Sequence, residues 1–113
     1  MSITPLLRCK NLKATQDFYA SLPGFSVIAA DASLLTLELS GNRLLFTEQD
    51  LWQSPPMCSG TFYFTVTDVD QLFSQLNANI TISWPLQDMP YGSREFGITD
   101  CNGYILAFQQ TRN

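Results

Sequence analysis

Residues 97–108 read GITDCNGYILAF. Two runs rich in β-branched and bulky residues flank Asn102-Gly103, a pair that closes tight turns, so the stretch predicts a strand, a turn and a second strand. Side chains alternate along a strand, which places Ile105 and Ala107 on one face and Leu106 and Phe108 on the other. If both faces are covered, something must lie beside the small methyl of Ala107. The rest of the chain decides what that is.

Upstream, ITPLLRCKN is strand-like. LKATQDFYASLPGF then reads as a short helix, with Leu12, Thr15 or Gln16, Tyr19 and Leu22 near a three-to-four period and Pro23-Gly24 as its stop. FSVIAADASLLTLELSGNRLLFTEQD predicts three short strands, with turns near 31–33 and 40–42. LWQSPPMCSG carries two prolines and reads as a linker over 49–60. TFYFTVTD is the next strand, and DVDQLFSQLNAN a helix with Asp68 as N-cap and Val69, Leu72, Phe73 and Leu76 on one face. ITISWPL, REFGITD and GYILAFQQ supply three more strands.

The second half therefore repeats the first. Leu7, Cys9, Asn11 and Leu12 match Phe64, Val66, Asp68 and Val69 at an offset of 57, and Gly41, Leu44 and Phe46 match Gly103, Leu106 and Phe108 at an offset of 62. Such internal duplication predicts two βαβββ modules, 1–48 and 61–113, within a single α+β domain spanning 1–113.

The chain has 113 residues, enough for one domain with a real core. Hydrophobic residues make up 45% and charged residues 14%, which excludes disorder. The net charge of −4 comes without any basic run, so no nucleic-acid footprint is present. No apolar run approaches the ~18 residues of a membrane span. The opening MSITPLLRCK lacks the apolar core of a signal peptide. Three scattered cysteines, Cys9, Cys58 and Cys101, argue for a reducing compartment, and the expected location is cytoplasmic. The histidine count is zero, which removes every mechanism needing an imidazole base or metal ligand.

MPYGSREFGITDCNGYILAF resembles the closing motif of the vicinal oxygen chelate superfamily, through Gly92, Arg94, Phe96, Asp100, Gly103, Leu106 and Phe108. FYFTVTDVDQLF and CKNLKATQDFYASLPGF resemble its two module openers, and Cys101 departs from the proline usual after the Asp. The superfamily includes glyoxalase I, extradiol dioxygenases, and fosfomycin- and bleomycin-resistance proteins. The resemblance implies a curved, incomplete-barrel mixed sheet with helices on its convex side. It also implies a homodimer with grooves near the subunit boundary.

In the superfamily's metal enzymes, four strand positions facing the concave side hold the metal. The resemblance maps them onto Thr4, Leu45, Thr61 and Ala107, and the offsets of 57 and 62 again relate the pairs. Leu and Ala have no donor atoms, and a threonine hydroxyl is a weak neutral ligand. Ala107 occupies the place of a metal enzyme's glutamate. The resemblance therefore points to the metal-free, bleomycin-resistance-like branch, with no cofactor.

Alternation then groups Thr4, Leu6 and Arg8; Arg43, Leu45 and Thr47; Thr61, Tyr63 and Thr65; and Ile105, Ala107 and Gln109 on the concave face. Ala107 and the threonines are expected to leave room there for a ligand. Trp52 and Trp84 are candidates for stacking on a flat ligand, or for holding a cation on an aromatic face. Arg8 and Arg43 are candidates to bind an anion or to pair with Glu38. Tyr91 and Arg94 belong to the closing motif, as ligand contacts or as loop structure. The expected function is non-catalytic binding of a small aromatic or cationic molecule, as in antibiotic sequestration. A metal-independent enzyme using a carboxylate such as Glu38, and a regulatory module with a vestigial groove, are the rivals.

Overall fold

The computed structural model describes residues 3–111, so Met1 and Ser2 of the opening stretch and the final two residues lie outside it. The element order is β1 (Leu6–Arg8), α1 (Leu12–Ala20), β2 (Ser26–Ala30), β3 (Leu35–Leu39), β4 (Asn42–Thr47), β5 (Thr61–Thr65), α2 (Val69–Ser74), β6 (Thr81–Asp88), β7 (Ser93–Thr99) and β8 (Ile105–Thr111). This is the α+β class with two tandem βαβββ modules. Contacts divide the chain into two compact units, 1–57 and 58–113. Each holds a four-stranded mixed sheet, in the orders β1-β4-β3-β2 and β5-β8-β7-β6.

The duplication extends to hydrogen-bond register. In each unit the opening strand pairs in parallel with the closing one, the other neighbours being antiparallel. Leu6 pairs with Leu45 and Leu7 with Phe46, while Tyr63 pairs with Ala107 and Phe64 with Phe108. These are the same pairs under the two sequence offsets.

The helix starts are duplicated as well. Asn11 and Asp68 are N-caps, accepting from the amides of Ala14 and Gln71. The first amide of each helix is satisfied from the residue just past, or near the end of, the closing strand. Leu12 N donates to Glu48 Oε2 at 2.6 Å, and Val69 N to Gln110 Oε1 at 2.9 Å. Helix amides left open at the N-terminus need such partners. Here the partner ties each helix to its own sheet.

Each helix covers one sheet face. In the first unit Tyr19, fully buried, packs its ring 5.3 Å from those of Phe25 and Phe46, over Leu35, Leu37, Leu39 and Leu44. In the second, Phe73 of α2 meets Phe96 at 5.0 Å, and Phe96 and Phe64 both stack on Phe108. α2 ends at Ser74, so Leu76 falls beyond it rather than on its apolar face. Thr4 likewise lies before the first strand. The turn at 100–103 is as the sequence predicts: Asp100 Oδ1 accepts from the amides of Asn102 and Tyr104, and Gly103 takes the left-handed φ of 90°.

Candidate functional site

With Phe96, Ile98, Leu106 and Phe108 committed to the helix side, the alternate positions of β5–β8 define the opposite face. Its central row, read across paired residues, is Tyr63–Ala107–Gly97–Trp84. Two small residues lie between two large aromatic ones. The corresponding row of the first unit is Leu6–Leu45–Thr36–Ala29, with no aromatic side chain.

The indole of Trp84 lies against the Gly97 backbone. A methyl built on Gly97 would stand 2.7 Å from Cδ2, Cε2 and Cε3 of the ring, a distance no real contact tolerates. Glycine is required at 97 for space. The register explains how Trp84 reaches this face. In a regular strand Ile82 and Trp84 would point the same way. Here Ile82 pairs with Ile98 and Trp84 with the adjacent Gly97, and a second shift follows before Gln87. Such bulges re-aim side chains and are tolerated on an edge strand, where Pro85 also costs no ladder bond that a neighbour needs.

Ala107 is fully buried, at 0% exposure. This corrects the expectation that it opens onto free room for a ligand: the flanking row is filled, with Trp84 laid over its neighbour Gly97.

Beside this row lies a residue that the sequence reading passed over. Glu95 is also at 0% exposure, on the same face as Gly97. Its Oε1 accepts from Tyr91 Oη at 2.6 Å and Ser93 Oγ at 2.8 Å, and its Oε2 from Trp84 Nε1 at 3.2 Å. All three bonds run toward the carboxylate, as suits an acceptor-only anion. Its paired neighbours across the sheet are Gln87 and Gln109, and among the described residues no Lys or Arg forms an ion pair with it. Buried carboxylates usually have a cationic partner. Tyr91 stands in the turn closed by the Met89 N to Ser93 O bond, with 65% of the residue exposed. The bond to Glu95 raises the Tyr91 phenol above the usual tyrosine value of 10.0, with desolvation adding to it. The available signal was the strand REFGITD itself, whose alternation puts Glu95 and Gly97 on the Ala107 side.

The other candidates are placed as follows. Thr61 lies on the same strand as Tyr63, two residues away and exposed. Arg94 points to the helix side, bonded through Nε and Nη2 to Asp70 of α2 and through Nη1 to Asp88, so it acts in loop and helix structure and is not part of the Glu95 face. Arg8, Glu38, Arg43 and Trp52 belong to the first unit. Arg43 pairs with Glu38 at 3.4 Å, whereas Arg8 pairs with Asp50 and donates to the Ser54 carbonyl. Trp52 is 48% exposed. Of the four positions that hold metal in the superfamily's enzymes, Leu45 and Ala107 offer no donor atom, so the residues present do not fit a metal. Among the described residues no three His, Cys, Asp or Glu are grouped to hold one.

No family model matches the chain, and no curated protein matches it. Solved structures do. TioX from Micromonospora sp. ML1 superposes with a TM-score of 0.80 at 21% identity, covering 98% of each chain. A glyoxalase/bleomycin resistance protein/dioxygenase from Alicyclobacillus acidocaldarius gives 0.78 at 20%, covering 98% of this chain and 91% of that one. A bleomycin resistance determinant encoded on the transposon TN5 gives 0.77 at 19%, covering 100% and 99%. The chain has the fold of these glyoxalase/bleomycin resistance/dioxygenase proteins.

Two outcomes follow from this geometry. Gly97→Ala should displace the indole and cost about 1–3 kcal/mol, as overpacking does. Urea denaturation measures the loss, and a shift in tryptophan emission reports the displaced ring. For Tyr91, the folded state holds the phenol proton more tightly than the unfolded one, so its contribution is present below pH ~10 and lost as pH rises through the higher folded value. The tyrosinate absorbance difference between wild type and Tyr91→Phe should have its midpoint above 10.0, the unperturbed value.

Proposed function

We propose that the protein binds a small aromatic or cationic molecule reversibly and carries out no chemistry on it, as a sequestering protein does. One observation carries this reading. Where a metal enzyme of this fold would place its glutamate, the chain has Ala107; the row around it presents Tyr63 and Trp84, and Trp84 and the nearby Tyr91 bond one buried carboxylate. Ligand sites are commonly aromatic surfaces with a few placed polar groups. The name of one structural neighbour ties it to bleomycin resistance, and that of another includes dioxygenase, so fold by itself does not choose between binding and catalysis. The base suggested by the enzyme rival, Glu38, is engaged by Arg43.

The reading includes a cytoplasmic homodimer. Cys9, Cys58 and Cys101 form no disulfide, which supports a reducing location, and among the described residues no helix is long and apolar enough to cross a membrane. β2 is an edge strand, exposed at all five positions, with neither charge nor proline to guard it. Such edges invite pairing with another chain.

Thermal-shift screening of aromatic antibiotics, bleomycin and cationic dyes tests the function. A true ligand at a hundred times its Kd should stabilise the fold by about 2.7 kcal/mol; a screen in which nothing raises the melting temperature removes the reading. Sedimentation at micromolar concentration should give twice the chain mass for the wild type and a monomer for Ile28→Lys. A monomeric wild type would refute the dimer.

A further inference from the structure

Three aromatic side chains of the second unit share an unusual arrangement. Tyr91 and Trp84 turn their polar ends inward to Glu95, and Tyr63 stands in the same row as Trp84, across Ala107 and Gly97. Their surfaces are left partly in solvent, with Tyr63 at 48% and Tyr91 at 65% exposure and Trp84 half-buried. The carboxylate that orients Trp84 and Tyr91 is sealed from water and, among the described residues, meets only neutral donors. Its charge is therefore felt through the rings rather than by contact.

Resting on the small-molecule reading above, we propose that Tyr63, Trp84 and Tyr91 form an aromatic receptor for a quaternary or ring-delocalised organic cation, with Glu95 as the counter-charge at the polar edges of the Trp84 and Tyr91 rings. The choice among cations follows from the hydrogen bonds. A primary ammonium seeks direct acceptors, but both Glu95 oxygens are buried and already bonded, so it would have to break the Tyr91, Ser93 or Trp84 bond to reach them. A quaternary cation has no N–H to satisfy and little hydration to lose. It is attracted to the negative faces of aromatic rings, and a carboxylate bonded at their edges in a low-dielectric setting adds to that attraction. Trp84 is fixed for this purpose, one face on the Gly97 backbone and its Nε1 held by Glu95, so little conformational freedom is lost on binding.

The test is calorimetric titration of the full chain with three probes of similar size: phenyltrimethylammonium, its neutral isostere tert-butylbenzene, and benzylammonium. The expected order places phenyltrimethylammonium first, about tenfold or more tighter than tert-butylbenzene, with benzylammonium weaker than the quaternary ion. Glu95→Gln should reduce the preference for charge towards unity, and Tyr91→Leu, an exposed position, should weaken the quaternary ion more than the neutral probe. Because the wild-type ratio is decisive by itself, the test stands even if Glu95→Gln fails to fold. Equal binding of the charged and neutral probes overturns the proposal while leaving aromatic binding intact. Tightest binding by benzylammonium overturns it by showing direct contact with the carboxylate. Binding by none of the three also overturns it, and the antibiotic and dye screen then decides separately whether the broader reading survives.

Discussion

Each unit depends on the parallel contact between its opening and closing strands. Through it the first strand of a module is held in register with its last, some forty residues later in the chain, and everything between is folded back into one sheet. The helix is recruited into the same contact, because Glu48 and Gln110 satisfy the first helical amides from beside the closing strands. α2, with six residues, is far too short to persist alone in water. Its stability comes from that amide bond, the Asp68 cap and the packing of Phe73 on Phe96. The loss of any one acts on the others, since they share a single helix–sheet junction.

The face opposite the helix obeys a different constraint. A carboxylate without a cationic partner is costly to bury, and three neutral hydrogen bonds offset only part of that cost. Those bonds also fix Trp84 and Tyr91, so the energetic expense produces order in the rings above it. The first unit shows what the same fold looks like without this device. Its equivalent row has no aromatic side chain, and Glu38 and Arg43, on the same face, pair with each other in partial contact with water. Duplication preserved the scaffold, and only one copy acquired the aromatic assembly.

Much of the scaffold was legible because it rests on local rules. The N-cap at Asp68, the Asn102-Gly103 turn and the alternation along β8 each follow from residue type and spacing, and the two offsets linked the modules before any strand was paired. Arg43 with Glu38 was also foreseeable as a cross-strand pair. Glu95 was not recognised, although its strand was, since a charged residue in an alternating strand usually faces water, and nothing local announces that a tyrosine four residues earlier will cover it. The facing of Trp84 was beyond reach for a sharper reason. Alternation counts residues, and the shift between Ile82 and Trp84 breaks the count; a bulge depends on pairing with β7, which one strand's sequence does not contain. The expectation that Ala107 makes room failed because its complete burial depends on neighbours brought in by pairing across the sheet, which the alternation of one strand does not contain.

The bond from Val69 to Gln110 joins residues 41 positions apart, and that from Leu12 to Glu48 residues 36 apart. On a ribosome, where the chain emerges from its N-terminus at a limited rate, this separation becomes a delay. The first module has its whole complement of partners once Glu48 has left the tunnel, before the Trp84 strand emerges. The second must keep Phe64, Phe73 and Phe96 waiting until nearly all of its residues are out. Newborn chains therefore pass through a stage with one finished module and one exposed aromatic segment, the stage at which a chaperone has most to gain by binding.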